Sequence, residues 1–323
     1  MIADCLNQYA CLAANINFNV DGLLKSFWQL TIDGLSWGAI YALVAVGYTL
    51  VFGVLRLINF AHGDLSVLGA YIGLVVLTGG LSGAGTQTAL VALAFVAAAV
   101  VVGAAGAALE FVAYRPLRKA DRLAAVVSAL GASLLIENGI MLIWGPQLRV
   151  FPQGLLPSGS WEAFGTRISL LQILIIAGSA LLMAALYLFV HHTRFGTAMR
   201  AAAIDQDAAR LMGINVNRVI TSVFVIGPAL GAIGGLFIGL YYRQVYFTMG
   251  WTYGLNAFIA AILGGIGNIP GAMLGGVLIG IIGELTKLTP YSGLQDVLVF
   301  TVLIAVLLVK PTGLLGKAGI EKV

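Results

Sequence analysis

Apolar residues along this chain do not alternate with polar ones; they run. Residues 90–109 are twenty consecutive positions drawn only from Leu, Val, Ala, Phe and Gly. A helix rising about 1.5 Å per residue needs about 20 such positions to cross a hydrocarbon layer. By that measure spans are expected at 27–53, 64–78, 89–113, 123–144, 168–190 and 219–242. Two short, glycine-interrupted segments follow at 253–265 and 271–286, then a last span at 294–309. Lipid offers the backbone no hydrogen-bond partners, so a spanning chain is helical or a closed barrel. Barrel strands alternate apolar and polar residues in short segments, unlike these long runs. The pattern therefore predicts an all-α polytopic membrane protein with about eight or nine transmembrane helices and short broken or re-entrant segments.

Composition points the same way. Of 323 residues, 60% are hydrophobic and 9% charged, against roughly 25% charged in a soluble domain. The net charge of +4 forms no dense basic patch, so nucleic acid is not an expected partner; the basic residues stand at the ends of apolar runs. One set of loops holds Arg115, Arg118, Lys119, Arg122, Arg194, Arg200, Arg210, Arg218, Lys310, Lys317 and Lys322, and Arg56 joins it. The other holds Lys25, Arg149, Arg167, Arg243 and Lys287. Cytoplasmic loops are richer in Lys and Arg, which places the N-terminus outside, the C-terminus inside and favours nine crossings. The expected organisation is an N-terminal extension at 1–26, a transmembrane domain at 27–310 with a cytoplasmic loop at 191–218, and a cytoplasmic tail at 311–323. The first twenty residues lack the basic and apolar blocks of a cleavable signal peptide. Cys5 and Cys11 both precede the first span and read as ordinary residues of the extension.

Glycine is over-used, at 42 residues, and much of it lies within spans, where small residues let helices approach closely. Two places read as broken helices: 59–64, followed by Gly69 and Gly73, and 264–271, followed by Gly275, Gly276 and Gly280. Interrupted helices in two halves of a chain point to a transport pathway. Ionisable groups inside spans are costly, at least about 2.5 kcal/mol at the bilayer centre on insertion scales. The pathway candidates are accordingly Asn59, His62, Asp64, Glu137 and Asn268. Glu110 lies at a span boundary, and Glu284 with Lys287 has the spacing of a helix-face ion pair. No nucleophile–base pair, no His/Cys cluster for a metal and no cofactor motif appears. A phosphate-binding Gly-x-x-x-x-Gly-Lys-Ser/Thr loop is also missing, so no enzymatic chemistry is expected of the chain.

The loop at 191–218 carries the sharpest signal. Residues 199–212 are rich in Ala, Leu and Met and favour helix; Gly213 suits the position after a helix end, and Asn217 suits a cap for the next span. Such a surface helix must press its apolar side on headgroups or on a partner. Asp207-Ala208-Ala209, three residues, then Gly213 resembles the Glu-Ala-Ala-x-x-x-Gly signature of ABC importer permeases, with Asp in place of Glu and Pro228 displaced from the pattern that follows.

Further stretches resemble the branched-chain amino acid (LIV-type) permeases, and the first of that system's two permease subunits in particular. They are Gly47-Tyr48-Thr49, then 58–64, Arg115-Pro116-Leu117-Arg118, 263–273, and 310–316 at the end. The resemblance covers the chain from about residue 30 onward. It implies that Arg200, Asp205, Asp207, Ala208, Ala209, Arg210 and Gly213 couple to a separate ATPase. It also implies a paralogous permease subunit, two ABC ATPase subunits and a periplasmic amino-acid-binding protein as partners in the bacterial inner membrane. Two other readings compete: a self-sufficient secondary transporter, and a related permease carrying urea or short amides.

Overall fold

The computed structural model describes residues 20–80, 87–118, 120–152, 154, 159–163, 166–288 and 294–316. Cys5 and Cys11, and most of the expected N-terminal extension, lie outside the described residues. The long helices are α1 (Val20–Leu55), α2 (His62–Gly80), α3 (Gln87–Leu109), α4 (Arg122–Trp144), α5 (Leu170–His192), α8 (Val216–Tyr242) and α10 (Ile269–Leu285). Between α5 and α8 stand two short helices, α6 (Arg194–Ile204) and α7 (Gln206–Leu211). α9 (Met249–Gly264) and α11 (Gln295–Val309) complete the bundle.

Among the described residues, seven helices are long and apolar enough to cross a membrane. α10 reaches 20 residues with the turn that continues it to Leu288, whereas α9 and α11, with 16 and 15, fall short of the roughly 20 that a full crossing takes. The expected nine thus resolve into seven full-length helices and two short ones. α1 starts at Val20, seven residues earlier than the apolar run alone suggested.

Helices α1 and α8 form the buried centre, with Ile40, Leu43, Ala45 and Val46 on one and Ile220, Phe224, Ala232 and Leu236 on the other. α3 packs on α8, α5 on α1 and α4 on α2, and they leave Val100, Leu135, Leu142 and Leu181 exposed, the faces that lipid would cover. The tightest seam joins α1 to α10. Gly34 and Gly38 on α1 face Gly276 and Gly280 on α10, each pair spaced by four. A methyl group at Gly38 would lie 2.7 Å from the Val277 Cα, so only glycine allows this approach. Pro228 interrupts α8; lacking an N–H, it frees the Phe224 carbonyl, and Gly106 of α3 packs against that oxygen.

The connections gather at two opposite ends. At one, strand β1 (Arg149–Val150) pairs antiparallel with β4 (Gln244–Val245), and β2 (Ser160–Ala163) with β3 (Thr166–Ser169). The Arg167 amide there donates to Gln29 at 3.1 Å. At the other end, α6 and α7 meet the end of α1, and Leu314 and Leu315 donate to the Leu263 and Gly264 carbonyls at 2.9 Å. The two groups of basic residues separated on sequence grounds fall at these two ends wherever their residues are described.

Candidate functional site

The chain does not pass directly from α1 to α2. After Leu55 it turns at Arg56, whose φ is 54°, then runs as non-helical backbone back into the bundle, and α2 begins only at His62. A methyl group at Gly47 of α1 or at Gly231 of α8 would strike the His62 ring. Gly231 lies 15 residues into α8, about 22 Å along its axis. His62 therefore stands near the middle of the bundle, and 56–61 is re-entrant. Non-helical backbone at this depth is tolerated only inside protein or along a cavity.

Three of the sequence-derived pathway candidates meet here, all buried. His62 Nε2 donates to the Val44 carbonyl at 3.2 Å, and its ring lies edge-on to Tyr48, 4.5 Å between centroids. Asp64 stands in the first turn of α2, where the helix dipole favours a negative charge. Ser133 of α4 donates to it, and Gly250 at the start of α9 lies against it. Asn59 Oδ1 accepts from the Tyr114 hydroxyl at 3.0 Å. Two polar atoms here, Asn59 Nδ2 and His62 Nδ1, are buried without a hydrogen-bond partner among the described residues.

Glu137 lies one turn beyond Ser133 on α4, half-buried and within electrostatic range of Asp64. It borders the cluster. Asn268 does not join it. The 264–271 break is a tight turn at the bundle end, with positive φ at Gly265 and Gly267, and Asn268 Nδ2 donates to the Leu315 carbonyl at 2.6 Å. Of the two breaks, one re-enters the bundle and the other is a hairpin turn that pins 310–316.

The loop between α5 and α8 is ordered by its caps. Thr193 caps α6, accepting from the Gly196 amide at 3.0 Å. A single helix over 199–212 was expected; instead Asp205 divides it. Its backbone is extended, and its side chain accepts from the amides of Asp207 at 2.9 Å and Ala208 at 3.0 Å. An aspartate competes with helical backbone in this way and starts a new helix. α7 ends as expected at Gly213, φ 81°. The Gly213 amide reaches the Arg210 carbonyl and the Ile214 amide the Ala209 carbonyl, both at 3.0 Å, a Schellman closure. The next helix is capped by Asn215 at 3.1 Å, not by Asn217, whose side chain accepts from Arg118 at 2.7 Å.

The seven loop residues singled out divide by orientation. Ala209 is buried, and Arg200 folds back onto the Val190 carbonyl. Asp207, Ala208, Arg210 and Gly213 are exposed, with Arg210 paired to Asp207 at 2.7 Å; Asp205 is spent on its cap. Beside them three large apolar side chains face outward: Ile204 is 81% exposed, Leu211 89% and Met212 82%. Gln206 ties the segment to α1 through the Val54 carbonyl at 2.9 Å.

Glu110, read as a boundary residue, is fully buried. It takes Arg118 and, at 3.5 Å, Arg115 as ion partners, and Thr221 donates to it at 2.9 Å. Arg115 and Arg118, five and eight residues on, were its only visible signal. Glu284 and Lys287 pair at 2.6 Å, as their spacing indicated. His191 stacks on Tyr187, 4.1 Å between centroids.

Residues 30–307 match the family described as branched-chain amino acid transport system / permease component. The high-affinity branched-chain amino acid transport system permease protein LivH of Escherichia coli (strain K12) is 41% identical over 303 residues, covering 92% of this chain and 98% of its own. The corresponding permease protein BraD of Pseudomonas aeruginosa is 41% identical over 302 residues, with the same coverage. The ribose import permease protein RbsC of Escherichia coli (strain K12) is 30% identical over 296 residues, 89% of this chain and 84% of its own. With the match running from α1 through α11 and these relatives covered over most of their length, the chain belongs to the family of permease components of branched-chain amino acid transport systems.

Proposed function

We propose that this chain is one of two permease subunits of an ABC importer, forming with a paralogue the path for branched-chain aliphatic amino acids across the bacterial inner membrane. Two separate ATPase subunits drive it, and a periplasmic binding protein delivers the substrate. The end of the bundle carrying α6 and α7 faces the cytoplasm, and the N-terminus is periplasmic. Residues 1–26 form an extension, 27–310 the permease domain and 311–323 a cytoplasmic tail.

The observation that carries this reading is the outward display of Ile204, Leu211 and Met212 on a segment capped at the start of α6 and at both ends of α7. Apolar side chains displayed beside charged ones at a bundle end suit a groove on a protein partner. Burying one such side chain stabilises a contact by about 1.5–3 kcal/mol. Asp207, Ala208, Arg210 and Gly213 border the patch and complete the docking surface; Asp205 holds its shape and Arg200 anchors it to α5. Cysteines placed at 207, 208 and 211 should crosslink to co-expressed ATPase subunits. Intact transport with no crosslink at any of the three removes the docking role.

On the pathway side, Asn59 and His62 present polar atoms without a partner among the described residues, and Asp64 stands at a helix N-terminus at mid-depth. A zwitterionic solute passing this level meets groups for its charged end, and Glu137 lies at the margin. Asn268 is proposed as an anchor for the tail, not a pathway residue. The identity shared with a ribose permease is compatible with specificity residing mostly in the binding protein. Calorimetric titration of that protein with leucine, isoleucine, valine and urea assigns the cargo.

A further inference from the structure

The coupling surface and the re-entrant segment lie at different depths, and one group of residues ties the helix that follows the first to the second. α3 does not end as an α-helix. Glu110–Tyr114 is a π-helix, closed by the Arg115 amide on the Glu110 carbonyl at 2.7 Å. Its first residue is tied to α8: Thr221 donates to Glu110, and Arg118, bound to Glu110, also donates to Asn217. Both α8 residues lie in the first two turns after the α6–α7 segment. Its last residue is tied to the re-entrant segment: the Tyr114 hydroxyl donates to Asn59 at 3.0 Å, while its ring packs on Phe224 at 4.9 Å.

We propose that the π-helix Glu110–Tyr114 is the link that transmits movement of the coupling segment to Asn59 and the mid-depth break, with Glu110 and Tyr114 as its positioning residues. The proposal rests on the importer reading above and deepens it. Glu110 is a buried carboxylate with cationic and hydroxyl partners from two elements. Separating such a charge from its partners is strongly unfavourable, so the start of α8 and the π-helix move as one. A π-turn holds one residue more than an α-turn. Conversion between them re-aims every following side chain by one residue, about 100° of helix rotation. Tyr114 is the side chain so re-aimed, and Asn59 is what it holds. Beside the link, a cavity of about 420 Å³ lies between Arg118, Arg56 and the α6–α7 residues Ala202, Ala203, Ile204 and Gln206.

The test uses the whole complex, captured through a tag on this chain and reconstituted in proteoliposomes, with ATP hydrolysis and leucine uptake measured together. Tyr114→Phe deletes one hydroxyl from an otherwise unchanged ring; Glu110→Gln keeps the shape and removes the charge. Each should leave the companion subunits and their ATP hydrolysis in place. Uptake per ATP should fall on the order of five- to tenfold, the scale of one buried hydrogen bond. Combining Glu110→Gln with Tyr114→Phe should lower it no further than the worse single substitution, because both break the same link. Unchanged uptake per ATP in both single variants overturns the proposal. So does a parallel fall of hydrolysis and uptake with loss of the companion subunits, which would make Glu110 a structural pin alone. Nucleotide-independent uptake by the unsubstituted complex would instead overturn the importer reading, and the link with it.

Discussion

The α1–α10 seam and the α6–α7 segment are both rich in small residues, and they use them for opposite ends. In the seam, Gly34, Gly38, Gly276 and Gly280 let two backbones touch, and no large side chain intervenes. In the segment, Ala202 and Ala209 turn inward, while Ile204, Leu211 and Met212 stand in the open. Lipid gives no hydrophobic drive to helix association, so the seam depends on dispersion between closely fitted backbones. The segment is held internally by caps and leaves its apolar side chains unspent. On the function proposed above, the difference separates residues that build the permease from residues that would dock a partner. Substitutions in the first should destroy the fold; those in the second should spare the fold and break the assembly.

The largest effect is expected at the seam. Gly280→Leu would force a branched side chain into the Gly38 backbone. Overpacking typically costs about 1–3 kcal/mol, and here the neighbour is backbone, which cannot rotate aside. The expected outcome is loss of monodisperse protein in detergent, or a fall in thermal midpoint large enough to see by fluorescence-detected gel filtration. Normal yield and midpoint would mean that the α1–α10 contact has room for a side chain at Gly280.

Next in size is the double substitution Leu211→Ser, Met212→Ser. Both side chains are already exposed, so yield and midpoint should match the unsubstituted chain. Losing two docked side chains at about 1.5–3 kcal/mol each would weaken ATPase retention at least a hundredfold, since 1.4 kcal/mol is a factor of ten. Co-purification of the ATPase is the measurement. Full retention would end the contrast between the two regions.

How much of this was readable from sequence follows the same divide. Long apolar runs gave the spans, because burial in lipid is a property of whole windows. Local chemistry gave the Glu284–Lys287 pair and the helix stop at Gly213, since each partner lies within a turn. Asp205 was visible as a weak helix former, but the helix propensity of the alanines around it outweighed one residue, and the division between α6 and α7 was lost. The exposure of Ile204, Leu211 and Met212 depends on which side Ala202 and Ala209 turn inward, which tertiary packing decides. Glu110 looked like a boundary residue because Thr221 is 111 positions away, and Asn268 looked like a pathway residue because Leu315 is 47 away. Repeated Asn-and-Gly chemistry made the two breaks look alike; only the path of 56–61 back into the bundle tells them apart.

A smaller effect tests the rigidity of the segment. Asp205→Ala removes the cap of α7 at a cost of about 0.5–2 kcal/mol. A six-residue helix cannot absorb that loss, because helices this short are marginal without support. The amides of Asp207 and Ala208 lose their acceptor, and their hydrogen exchange should quicken on the order of tenfold. Exchange at Ile220 and Phe224, buried in α8, should not change. Acceleration in both places would show that the segment is part of the core rather than an attachment to it.

The smallest effect is expected where this chain departs from the signature it resembles. Asp207→Glu restores the Glu-Ala-Ala order and lengthens the side chain by one methylene. The Asp207 side chain forms an exposed ion pair with Arg210 at 2.7 Å. Exposed pairs are worth about 0.2–1 kcal/mol, and a glutamate at the same spacing can form the pair again. The Asp205 cap uses the Asp207 backbone amide, which the substitution leaves alone. Stability should therefore hold and uptake stay within about twofold. A larger loss, with ATPase retention intact, would mean that the carboxylate at 207 meets a closely fitted site on the partner. In that case the departure from Glu would be matched by a departure in the ATPase cleft, and a compensating change there should restore uptake with Asp207→Glu.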